Sequence, residues 1–136
     1  MKKFVDNPQE IDGIRVVQDP NEMVNALING ETIYHWEFGD SLAPIINNGE
    51  YCKIAPCSPI DVNRGDCVFC VIHANGQAYP MVHQVWEISD CGYDGELWFK
   101  IGSTMSTIFG WTKDVYGIAK GTNIYQEMPT EEEFED

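Results

Sequence analysis

The sequence predicts a mainly β domain with one short helix near its N-terminus. Three observations carry that expectation. The chain has 136 residues, 43% of them hydrophobic and 12% aromatic, enough to build a single core despite a formal charge of -14. Runs rich in β-branched and aromatic residues, bounded by Gly, Asn, Asp and Pro, recur from Thr32 onward. One segment alone carries both the start and the stop signals of a helix.

The elements follow in chain order. Glu10 to Val17 reads as an initial strand or hairpin arm. Asp19-Pro20-Asn21-Glu22 supplies an acidic cap, a proline at the first helical position and a glutamate three residues after the cap. Met23, Ala26 and Leu27 then share a face, and Gly30 can take the left-handed stop. Strands are expected at Thr32–Phe38, Tyr51–Ala55, Asp66–His73, Met81–Ile88, Leu97–Ile101 and Val115–Ala119, with Ala74-Asn75-Gly76-Gln77 as a hairpin turn. The end, Glu131-Glu132-Glu133-Phe134-Glu135-Asp136, reads as a solvated acidic tail or a docking segment for a basic partner. The expected organisation is a strand-helix-strand extension over 1–37, a β domain over 38–126 and the tail over 127–136.

Charge and cysteine usage narrow the function classes. Eight Lys and Arg are scattered among 22 Asp and Glu, the opposite of a surface that grips nucleic-acid phosphates or anionic membranes. Lys2-Lys3-Phe4-Val5 runs at once into Asp6-Asn7-Pro8-Gln9, without the apolar core of a signal peptide, so a soluble cytoplasmic protein is expected. Five cysteines in a chain this size favour reduced thiols. Cys67-Val68-Phe69-Cys70 has C-x-x-C spacing, with Cys52 and Cys57 upstream. On a strand, however, residues three apart face opposite sides and cannot share one metal. Small buried cysteines are expected, with neither metal nor cofactor.

The most informative stretch is Gly39-Asp40-Ser41-Leu42-Ala43-Pro44-Ile45-Ile46-Asn47-Asn48-Gly49-Glu50. A serine just past a strand, in a turn constrained by a proline, can present its hydroxyl beside converging backbone N–H groups, as an acyl-transfer nucleophile requires. A serine in a tight turn is also a common turn residue. The stretch resembles the G-x-S-M-x-P-x-[IL]-x-x-G-[DE] box of the signal peptidase I and LexA-like clan of serine peptidases, with Leu42 where Met is usual. Further segments resemble that clan in the same order: Asn63 to Val68 its G-D strand entry, Pro80 to Val85 the strand with the general base, Phe99 to Ser103 its F-x-x-K-G-D strand, and Val115 to Ala119 its closing strand. The resemblance spans about Phe38 to Lys120 and implies coiled antiparallel sheets.

The resemblance implies Ser41 as nucleophile and His83 as general base, with the Gly39-Asp40 and Ser41 backbone as oxyanion donors. A histidine titrates in a range suited to such a role. Three departures accompany it. Ser103 stands at the position of the family acid, Gln84 replaces the Arg after the base, and Leu42 replaces Met, a change of little volume. Without the acid nothing obvious orients the imidazole, a loss worth orders of magnitude in rate. Asp40, Asp90 and Asp94 are the candidates to replace it. His35 and His73 read as ordinary strand residues. Trp36, Trp86, Trp98 and Trp111 read as sheet-face aromatics or as walls of a peptide groove.

Two functions follow as expectations. One is a degenerate peptidase-like domain that docks a protein or peptide partner through its sheet edges, as an accessory subunit of a larger assembly such as a phage particle. The other is an active Ser41–His83 endopeptidase that trims a protein partner. No nucleic acid or membrane partner is expected. The location is the cytoplasm of a bacterial or phage-infected cell, or a virion.

Overall fold

A computed structural model of the chain describes residues 1–90 and 94–127. The elements in order are β1 Lys3–Val5, β2 Glu10–Ile11, β3 Ile14–Arg15, α1 Pro20–Ile28, β4 Ile33–Trp36, β5 Glu50–Pro56, β6 Cys67–Ala74, β7 Gln77–Ser89, β8 Trp98–Gly102, β9 Ile108–Thr112 and β10 Val115–Gln126. The mainly β class with a single short α-helix is what the sequence predicts. No helix among the described residues is long and apolar enough to cross a membrane.

Helix α1 forms where local signals put it. Asp19 Oδ2 accepts from Glu22 N at 3.0 Å, Pro20 opens the first turn, and the buried face is Met23, Ala26 and Leu27. Past the helix, Gly30 N donates to Leu27 O at 3.0 Å and Glu31 N to Ala26 O at 2.9 Å, closing the C-terminus. The β6–β7 hairpin turns on Asn75 and Gly76, whose φ angles of 53° and 74° are those of a type I′ turn.

The main sheet has eight strands in the order β4-β5-β10-β6-β7-β8-β9, with β1 parallel to β10. Strand β10 is the shared centre: Lys120 pairs with Lys53 of β5 and Ile118 with Val68 of β6. The sheet curls, so that Thr112 Oγ1 of β9 donates to Val71 O of β6 at 2.6 Å. The outer side of β4 is covered by the segment before the helix. Val17 N donates to Tyr34 O at 2.8 Å, and the Gln18 side chain accepts from Trp36 N at 2.6 Å and donates to Trp36 O at 3.2 Å, closing the edge as a strand would.

Buried side chains form three clusters. The first packs Met23 and Leu27 of the helix with Leu42, Ile46, Cys67 and Phe69; the second holds Val68, Cys70, Val85 and Phe99 between the curled strands; the third joins Ile11, Tyr34, Tyr51 and Ile124. Cys67 and Cys70 thus lie in different clusters on opposite faces of β6, as strand alternation requires. Burial pushes the Cys57 thiol up to about 11 and the Cys67 and Cys70 thiols up to about 12, and holds the Cys52 thiol well above its ordinary value.

Two strands go beyond the sequence reading. Strand β1 is three residues long, and β9 contains Gly110 and follows the polar run Ser103-Thr104-Met105-Ser106. Strand β1 is held by β10 at the other end of the chain, and β9 pairs with its neighbour β8 although its glycine and the polar run before it give little local strand signal. Strand β10 also continues to Gln126, well past Ala119. The acidic run Glu131–Asp136 and Cys91 lie outside the described residues.

Candidate functional site

Ser41 sits in a tight succession of turns that carries the chain from β4 to β5. Ala43 N donates to Asp40 O at 3.1 Å, and Ile45 N and Ile46 N donate to Leu42 O at 2.9 and 3.0 Å. Leu42 and Ile46 anchor this segment in the first core cluster, at 2% and 1% exposure. The segment is also tied to the far side of the sheet: Thr104 N donates to Ser41 O at 2.9 Å, and Thr104 Oγ1 donates to Ala43 O at 2.6 Å.

Ser41 and His83 border one cavity of about 360 Å³, together with His35, Glu37, Phe69 and Met81. No hydrogen bond joins Ser41 Oγ to His83 among the described residues. Strand register explains the imidazole's position. His83 pairs with Val68, a residue of the second cluster, whereas its neighbour Val82 pairs with Phe69 of the first, the cluster that holds Leu42 and Ile46. The His83 ring stacks on Phe109 of β9, with centroids 4.4 Å apart and planes 7° from parallel. Its Nδ1 is buried without a hydrogen-bond partner. Burial lowers the His83 pKa to about 4, so the ring is neutral at neutral pH.

The candidate acids are elsewhere. Ser103 is buried, and its Oγ accepts from Ser106 N at 3.2 Å and Thr107 N at 3.0 Å, shaping the turn into β9. Asp94 is engaged by Lys113 Nζ at 3.1 Å and accepts from Glu96 N at 3.1 Å. Asp40, Asp90 and Asp94 do not border the cavity. Of the expected oxyanion donors, Gly39 N is committed to Asn48 Oδ1 at 2.7 Å.

A carboxylate–imidazole pair does stand in the cavity wall, but it is His35 and Glu37. His35 Nδ1 lies 3.0 Å from Val17 O, which can only accept, and Nε2 lies 3.2 Å from Glu37 Oε1. Both ring nitrogens are thus occupied, which leaves none to take a proton from Ser41. His35 is a residue of strand β4, as expected, and its pairing with Glu37 had a signal in the sequence. Ile33, His35 and Glu37 alternate along a strand leading to Ser41, and Ile33 is core. His73 is an exposed strand residue whose Nε2 lies 2.7 Å from Asp114 Oδ2. None of the four tryptophans borders this cavity; Phe38 and Phe69 supply its aromatic walls. Among the described residues no three His, Cys, Asp or Glu side chains converge as metal ligands.

Comparison of the chain with protein-family models, characterised proteins and solved structures finds no match.

The half-buried His83 imidazole makes stability depend on pH. His83 titrates near 4 when folded and near 6.5 when unfolded, so between those values the unfolded chain binds more protons. Stability is complete above about pH 6.5 and falls as the pH drops toward 4. Allowing for partial exposure of the ring, wild type should lose about 2 kcal/mol more than His83→Phe over that window. Urea denaturation of both proteins at a series of pH values checks this; parallel curves would refute it.

Proposed function

We propose that the chain is a peptidase-like domain with a degenerate catalytic site, which docks an extended segment of a protein partner beside Ser41. The observation that carries this reading is the His83 imidazole: half-buried, stacked on Phe109, and with a buried Nδ1 that faces no carboxylate. A general base needs an orienting acceptor at that nitrogen and a pKa near the working pH, and this ring has neither.

The docking half of the reading rests on β7. Strand β8 pairs with β7 only from Gln84 onward, so the stretch from Gln77 to His83 has β6 on one side only, and Pro80 to His83 border the cavity. Pro80, which lacks an N–H, belongs on such an edge. Across the cavity, Glu37 is held by its backbone to β5, with N donating to Glu50 O at 3.0 Å and O accepting from Gly49 N at 2.9 Å. An extended peptide lying between these two walls would add to the sheet by backbone hydrogen bonds. A small, strongly acidic domain with such a slot suits an accessory subunit of a soluble cytoplasmic or virion assembly.

The alternative, an active endopeptidase, has one observation in its favour: Ser41 and His83 share the cavity. A fluorophosphonate probe, which labels activated serines, separates the two. Wild type should label no faster than Ser41→Ala at neutral pH. Labelling that requires Ser41 would overturn the degenerate-site reading.

A further inference from the structure

Resting on the peptide-slot reading, we infer that the docked segment carries a Lys or Arg side chain, which lays its aliphatic stem on Met81 and Phe38 and places its charged head at Glu37. Among the described residues Glu37 is the only acidic or basic chain bordering the cavity besides its histidines, and its side chain is 17% exposed. One oxygen, Oε1, faces His35; Oε2 makes no hydrogen bond among the described residues and is left as an acceptor at the wall. The remaining lining is what a long cationic side chain needs below its head: the thioether of Met81 and the face of Phe38 at the rim, 75% exposed. A neutral aliphatic side chain would fill the same apolar volume while stripping water from the carboxylate without replacing its hydrogen bonds, so the site selects against it. The net charge of -14 draws a basic segment toward the domain from a distance.

The test is fluorescence anisotropy with labelled, otherwise polyalanine-like extended octapeptides that carry Lys, Arg, norleucine or Glu at one scanned position. Norleucine keeps the lysine stem and removes the charge. A Lys or Arg peptide should bind about tenfold more tightly than its norleucine counterpart, and the difference should shrink at high salt. In Glu37→Gln the basic and norleucine peptides should bind alike, the roughly tenfold difference between them being lost. Equal binding of basic and norleucine peptides to wild type would overturn this inference while leaving the slot intact. Equal weakening of both in Glu37→Gln would also overturn it, since Glu37 would then act only on the fold. Failure of every peptide to bind would overturn the slot itself.

Discussion

Glu50→Ala should cost the domain about 4 kcal/mol, a large share of the stability of a typical domain. Glu50 opens β5 and is 3% exposed. Its Oε1 accepts from Asn47 N at 2.9 Å, and its Oε2 accepts from Thr122 N at 2.8 Å and Asn123 N at 2.9 Å. The last two amides lie where the ladder between β5 and β10 breaks, between Gly121 and Tyr125. No strand carbonyl is in register there to take them, so the carboxylate stands in for the missing rungs. Truncation would leave three backbone donors without acceptors around a buried space. Glu50→Gln keeps the shape but turns an N–H₂ toward an N–H, and should cost roughly half as much. Guanidinium denaturation reads both values. A loss below about 1 kcal/mol for Glu50→Ala would mean that water reaches these amides.

Gly117→Ala should destabilise by about 3 kcal/mol, lowering the melting temperature by about 10 °C. Gly117 lies in β10 between Pro56 of β5 and Phe69 of β6. A Cβ there would come within 2.7 Å of Ile54 Cγ2, 2.8 Å of Ala55 O and 3.2 Å of Leu27 Cδ2. The carbonyl belongs to the backbone of a paired strand and cannot give way, while the leucine is the helix's own anchor on the sheet. Shortening that leucine removes one of the three collisions and leaves the carbonyl, so Gly117→Ala with Leu27→Ala should not recover wild-type stability. Calorimetry on the single and double variants checks this, and a double variant as stable as Leu27→Ala alone would contradict it.

The helix is legible in the sequence because its determinants are local: a cap at Asp19, a proline beside it, and three apolar positions on one face. The β6–β7 hairpin is legible for the same reason, since Asn75-Gly76 specifies its own turn. Strands β1 and β9 depend on Ile124–Gln126 and on Phe99–Gly102, and nothing within their few residues announces those partners. The candidate site divides similarly. Ser41 is conspicuous from its turn, and His35 and Glu37 could be placed together by strand alternation. The stacking of Phe109 on His83 and the missing partner at Nδ1 are tertiary events, created when the curled sheet brings β9 over β7. Glu50 is a case between the two. Its position at the end of the Gly39–Glu50 stretch is plain in the sequence, but its work as a support for β10 requires knowing where the ladder breaks.

The central place of β10 has a consequence for how the chain reaches this state. Strands β5 and β6 are close neighbours in sequence, yet they do not pair with each other; both pair with β10, the last of the described strands. Strand β1, near the start of the chain, also joins β10. During synthesis, the β6–β7 hairpin can form as soon as it emerges, but the halves of the sheet on either side remain unjoined until residues 115–126 have left the ribosome. Until then β5 and β6 each present an unpaired side to the surroundings. That is the interval in which this domain is most exposed to wrong pairing, and where its excess of negative charge is of most use in keeping separate copies apart.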